Sequence, residues 1–115
     1  MTRTPSAFRT LTVIAVLAHF LAAAARAQST SGSISGTVED STGARLPNVA
    51  VSARNVDTAL VRSATSGAGG TFTIPLLPVG TYEVGAELSG FAGARVANVV
   101  VSIGGDSTVR LVLEP

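Results

Sequence analysis

The chain has 115 residues, with eight Arg and no Lys, seven acidic residues, one His, and neither Cys nor Trp, so it holds one small domain at most. His19 and Met1 fall in an N-terminal segment that reads as cleavable. The remaining 88 residues have no His, Cys, Lys, Trp or Met, and five Arg against seven acids give them a formal charge of −2. Imidazole base, thiol nucleophile, Schiff-base lysine and imidazole metal ligand are thereby excluded, and a weakly acidic domain gives no electrostatic case for nucleic acid. The expectation is a non-enzyme with no catalytic, cofactor-binding or metal-binding residue.

Residues 1–27 read as a secretory signal peptide. Arg3 and Arg9 make a short positive region, and an apolar run of 15 residues follows from Leu11 to Ala25. Ala25-Arg26-Ala27 is a small-x-small pattern, which places the cut before Gln28. The run is shorter than the roughly 20 apolar residues of a membrane span and contains His19, so no transmembrane span is expected after cleavage. No Cys follows it, which excludes lipid attachment at a cysteine. The exported domain has no disulfide available and must hold by its core alone.

After cleavage, residues 28–32 form a small polar leader, read as flexible, and period-2 alternation then recurs between turn signals over residues 33–115. Ile34, Gly36 and Val38 share one face of a first strand. Asp40-Ser41-Thr42-Gly43 turns the chain, with Asp40 bonding backbone amides and Gly43 free to take positive φ. Asp40 is read as a turn former rather than a calcium ligand, because calcium takes six or more oxygens and no second acidic cluster is near in sequence.

Pro47 sets the start of a second strand, with Val49, Val51 and Ala53 on one face. Asn55 to Asp57 turns into a third strand, Ala59 to Thr65, whose facing is ambiguous because Leu60 and Val61 are adjacent. After the loop Gly67–Gly70, Phe72 and Ile74 face one way on a short fourth strand that Pro75 ends. Pro78-Val79-Gly80 leads to the strongest alternating run, Tyr82, Val84, Ala86 and Leu88. A sixth strand runs from Arg95 to Ser102. Gly104-Gly105-Asp106 turns into a seventh, with Val109, Leu111 and Leu113 opposite Arg110.

No later segment shows helical periodicity over three turns, and all 12 Gly lie beyond residue 27. Short strands at this spacing predict an all-β sandwich or a small barrel, and the clean alternation of buried faces favours the sandwich.

The run GTVEDSTGARLPNVAVSA (residues 36–53) resembles the opening of carboxypeptidase regulatory-like domains, with its G-x-V-x-D strand and turn, Leu-Pro, and alternating Val strand. FTIPLLPVGTYEV (residues 72–84) resembles their second signature, and Gly90-Phe91 their Gly-aromatic pair. The resemblance covers residues 31–115. It implies a seven-stranded Greek-key sandwich similar to transthyretin. Family members usually carry Asp or Asn before the Gly-aromatic loop, where this chain has Gly67–Gly70, so no ion or side-chain role carries over to that loop.

Tyr82 and Phe72 are expected in the core, and Phe91 near a loop. The zinc of metallocarboxypeptidases, and the histidines of transthyretin-like hydrolases and intradiol dioxygenases, have no counterpart among residues 28–115. The Lys–Asn crosslink of pilus modules has no Lys. An acid-only enzyme would fall to Glu83 and Glu87 on the polar face of the fifth strand, a pattern that more often only solvates a surface.

An export signal followed by this module resembles the start of a TonB-dependent outer-membrane receptor. Here the chain stops at Leu113-Glu114-Pro115, with no plug or barrel strands. The reading is therefore a monomeric, exported interaction or structural module of the bacterial cell envelope, in the periplasm or at the outer membrane, as the N-terminal extension or a truncated fragment of such a receptor. Its partner would be an envelope protein. The alternative is a secreted polysaccharide-binding module, with Phe91 beside Gly90 and Gly93 as its one aromatic. Any cluster of Arg62, Arg95 and Arg110 is a three-dimensional question.

Overall fold

The alternation becomes seven strands: β1 (Ser31–Asp40), β2 (Ala50–Asn55), β3 (Val61–Thr65), β4 (Thr71–Pro78), β5 (Gly80–Glu87), β6 (Ala94–Val101) and β7 (Asp106–Leu113). The computed structural model describes Ile14, Ala15 and Thr30–Pro115; the first two are helical. The expected export segment, with Ala25, Ala27 and Gln28 at its cleavage point, lies outside the described residues. No described helix is long and apolar enough to cross a membrane.

The strands form two sheets, β4-β1-β7 and β3-β2-β5-β6. All pairings are antiparallel except β1 with β7, which run parallel from Ser33 opposite Asp106 to Asp40 opposite Leu113. The core between the sheets takes the residues that the alternation assigns to it. Ile34 and Val38 come from β1, Val51 and Ala53 from β2, Phe72 and Ile74 from β4, Tyr82, Val84 and Ala86 from β5, and Leu111 and Leu113 from β7. Burying each aliphatic side chain of this size is worth about 1.5–3 kcal/mol. The buried Tyr82 hydroxyl donates to Pro78 O at 2.7 Å, so the ring is buried without leaving a polar atom unpaired.

Three boundaries differ most from the sequence reading, while Asn55 joins β2 and β6 shifts by one residue. Ser31 and Gly32 belong to β1 rather than to a leader, because Ser31 pairs with Pro78 and Gly32 with Leu77. β3 starts at Val61: Ala59 (φ 64°) and Leu60 close the hairpin instead, their N–H and C=O bonding to Asn55 O (2.9 Å) and Asn55 N (2.8 Å). β4 does not stop at Pro75. It is an edge strand, where a missing N–H is tolerated, and it bulges, with two steps on β1 (Gly32 to Ile34) facing three on β4 (Ile74 to Leu77). Leu76 sits in the bulge at φ 57° and is 70% exposed.

The turn at Asp40 forms as read. Its carboxylate accepts from Thr42 N (2.9 Å), Thr42 Oγ1 (2.6 Å) and Ala44 N (3.1 Å), and Gly43 takes φ 88°. Gly36 is required for another reason. A Cβ there would lie 1.9 Å from Val109 O and 3.1 Å from the Phe72 ring.

Gly36→Ala is therefore expected to cost at least about 3 kcal/mol, at the upper end of overpacking effects, because the obstacle is backbone. Leu76→Gly removes a left-handed strain of about 1–2 kcal/mol against a glycine entropy cost of about 0.5–1 kcal/mol, so it is expected to be neutral or stabilising by up to about 1 kcal/mol. Urea unfolding midpoints check both.

Candidate functional site

The outer face of the four-stranded sheet carries a broad depression. Ser52 on β2 lies opposite Gly85 on β5 and Ser63 on β3, and Gly85 lies opposite Arg95 on β6. Gly85 has open room above it, since an added Cβ would meet only Ala94 O and Ser52 Oγ at 3.8 Å and Arg95 Cγ at 4.0 Å. The missing side chain leaves a hollow of about 830 Å³, with Arg54, Glu83, Glu87 and Arg95 around it. A second hollow of about 540 Å³ adjoins it and shares Glu87 and Gly93.

Glu83 and Glu87 do share the polar face of β5, as the alternation requires. Glu83 is bound to Arg95, Oε1 to Nη1 at 3.2 Å. Phe91 borders the second hollow, but its ring is half-buried and packs against the core, so it is no open platform. The rim thus alternates two cations with two carboxylates on a polar floor. That arrangement suits polar recognition.

Glu39 and Asp106 hold the fold, each through contacts to side chains of other strands. Glu39 is the buried charge that alternation failed to flag: it points away from the core, and Arg110 and Arg45 cover it. Arg110 binds Glu39 Oε1, and Arg45 Nε lies 3.7 Å from Oε2. Asp106 accepts Ser33 Oγ at 2.6 Å and Ser35 Oγ at 2.7 Å. Ser66 and Asn55 are buried as well. Ser66 Oγ donates to Leu46 O (2.8 Å) and accepts from Val49 N (2.9 Å), and Asn55 Oδ1 accepts from Asp57 N and Thr58 N. The three arginines do not cluster. Arg62 stands opposite Ala53 on the core side of edge strand β3, Arg95 is over the hollow, and Arg110 is on the other sheet. No group of three or more His, Cys, Asp or Glu among the described residues could hold a metal ion.

Exposed aliphatic residues collect at the end of the sandwich where β1 begins. Val56 N donates to Thr81 O, and Thr81 lies opposite Val100, which sets Val56 and Val100 in one row. Val79 joins β4 to β5 there. Ile103 caps the β6–β7 turn, whose Gly104 N bonds Ser31 O. All four are about half exposed or more.

The Thr42 hydroxyl holds the Asp40 carboxyl below the ordinary aspartate range, helped by backbone N–H groups, and the Ser33 and Ser35 hydroxyls do the same for Asp106. A depressed carboxyl stabilises the fold above its unfolded value near pH 4, and that contribution is lost as pH falls through the folded value. Unfolding midpoints are thus expected to be flat from neutral pH to about pH 5 and to fall below about pH 4. In the Ser33→Ala/Ser35→Ala pair, Asp106 is expected to titrate back near the ordinary value in carboxyl-detected NMR, with a shallower acid limb.

The sequence model of the carboxypeptidase regulatory-like domain matches residues 33–114. No curated protein matches the sequence. Among solved structures, a chain of a type II cohesin–X-dockerin complex from Acetivibrio cellulolyticus is similar at 23% identity and TM-score 0.54, over 71% of this chain and 56% of that one. This chain therefore spans little more than half of that relative. A proposed carbohydrate-binding protein from Pseudomonas aeruginosa aligns at 21% identity and TM-score 0.53, over 74% and 90%. The 5-hydroxyisourate hydrolase of Klebsiella pneumoniae aligns at 21% and TM-score 0.52, over 73% and 85%. At these identities the likeness is one of fold.

Proposed function

The chain belongs to the carboxypeptidase regulatory-like domain family, and from that premise we propose that it serves as an exported, non-catalytic interaction module of the bacterial cell envelope, as the N-terminal extension of a TonB-dependent receptor or a free periplasmic adaptor. One observation carries the non-catalytic part. Glu39, Asp40, Glu83 and Asp106 are each committed to an ion pair or a hydrogen-bonded turn or strand contact, and residues 28–115 supply no His, Cys or Lys. The remaining acids, Asp57, Glu87 and Glu114, are exposed and have no imidazole, thiol or amine to work beside them as base or nucleophile.

What remains for function is surface: the charged hollow over Gly85, the apolar end around Val56 and Val100, and the sheet edges. Such surfaces bind partners without chemistry. The signal-like residues 1–27 support export, with Gln28 as the mature N-terminus.

Carbohydrate binding is the second reading, favoured by the polar hollow and by the likeness to a proposed carbohydrate-binding fold. Fold analogy alone carries little functional weight, and the half-buried Phe91 offers no stacking face.

Fractionated host cells, blotted with an antibody to residues 31–115 and followed by intact mass, test the first reading. The expected result is an envelope species beginning at Gln28. A cytoplasmic species retaining Met1 overturns it. Calorimetric titration with soluble polysaccharides is expected to show no heat at millimolar ligand, and binding lost on Arg95→Ala would install the second reading in its place.

A further inference from the structure

The four sheet edges are unequal. β4 carries Pro75 and the Leu76 bulge. β6 bulges too, between the Tyr82–Val99 and Val84–Val96 pairs, with Asn98 at φ 59°. β3 has five residues and sets Arg62 on its core side. These are the devices by which proteins protect edges from pairing: proline, bulges, short strands and inward charges. β7 has none of them, running eight residues without proline, bulge or positive φ.

The register says which of its groups are free. Ser33 lies opposite Asp106 and donates to Gly105 O at 2.9 Å. In a parallel ladder the odd-numbered residues of β7 therefore turn N–H and C=O toward β1. Asp106, Thr108, Arg110 and Val112 turn theirs outward. Among the described residues none of those N–H or C=O groups has a partner, and all four residues are exposed. The next residue in the series is Glu114, which shows how the edge is used. Its C=O accepts Ala92 N–H at 2.6 Å in an isolated antiparallel bridge.

We propose that the outward edge of β7 receives an extended segment of a partner polypeptide, antiparallel, as the fourth strand of the β4-β1-β7 sheet. This rests on the interaction-module reading and names its surface. Charge selects the partner. Arg110 is already paired with Glu39, whereas Asp106 accepts only two serine hydroxyls. The fitting strand carries a basic residue opposite Asp106 and, six residues toward its own N-terminus, an apolar one opposite Val112. It has no proline at the positions that face β7.

The probe is the capped nonapeptide Thr-Val-Thr-Thr-Val-Thr-Val-Lys-Thr, with a control that has Glu in place of Lys, titrated into 15N-labelled protein. Slowed amide exchange is expected at Asp106, Thr108, Arg110 and Val112 and not at Ser107 or Val109. The Lys peptide should bind about threefold more tightly than the Glu peptide, a typical cross-strand charge preference. Asp106→Asn should abolish that preference. Thr108→Pro should keep the folded spectrum, since its N–H is unpaired, and lose the peptide.

No response at Asp106 to Val112 with millimolar peptide overturns the proposal. So does a response confined to the hollow over Gly85, or unfolding of Thr108→Pro, which would put that N–H in the ladder. Protection of the same amides without peptide, together with a dimer in sedimentation, overturns it in favour of a second copy at the edge. Failure here leaves cell fractionation to decide export, and a cytoplasmic protein whose β7 still takes the peptide would overturn the envelope reading alone.

Discussion

The parallel ladder between β1 and β7 is the constraint on which the rest of the sandwich depends. β1 is the middle strand of its sheet, and half of its pairing comes from residues about 70 positions away. The ladder passes over Gly36, where Val109 O and the Phe72 ring occupy the space a side chain would take. Such a non-local pairing closes only after loop entropy has been spent. The other sheet is built on two local hairpins, β2–β3 and β5–β6. Its inner face, Val51, Ala53, Tyr82 and Val84, stays wet until β1 and β7 cover it.

Alternation in the sequence reports which way a side chain faces and not which strand lies beside it. Hence Ile34, Val38, Val51, Tyr82, Val84, Leu111 and Leu113 were legible as core, as was the Asp40–Gly43 turn, whose chemistry is local. Pro75 reads as the end of β4 in sequence because the cost of a missing N–H depends on whether a strand is central or at an edge, and edges are a property of the assembled sheet. The left-handed Leu76 leaves no trace in its residue type. Val61 and Leu60 could not be sorted because β3 lies at an edge, where both sides of the strand meet water and facing is weakly encoded.

The polar surface was legible in composition and illegible in arrangement. Glu83 and Glu87 were placed on the right face of β5, yet the partner of Glu83 is Arg95 on the next strand. Glu39 belongs by alternation to the solvent face and is nonetheless buried, because Arg45 and Arg110 fold over it from a loop and from β7. An arginine stem covers surface as well as carrying charge. Arg45 reaches Glu39 through a local antiparallel bridge across the Asp40 turn, whereas no spacing rule links residues 39 and 110; the β1–β7 register, which sets Thr37 opposite Arg110, brings those two together.

That register also explains why one edge stays open. β6 precedes β7 in sequence but belongs to the other sheet, so it cannot pair with the outward side of β7. The two strands share the core, and the Ser107 hydroxyl of β7 donates to Val100 O of β6 at 2.5 Å. An unguarded edge is ordinarily a liability, since any flat strand can add to it. Here the hazard is narrowed from three sides. The remaining edges are blocked, so sheets cannot stack edge to edge at will. Asp106 leaves a negative charge at one end of the free run. The Ala92–Glu114 bridge closes the other end, which limits an incoming strand to about seven residues in the usual antiparallel pairing. An edge bounded in length, marked by charge and left alone among four is a poor template for aggregation and a selective one for a single added strand.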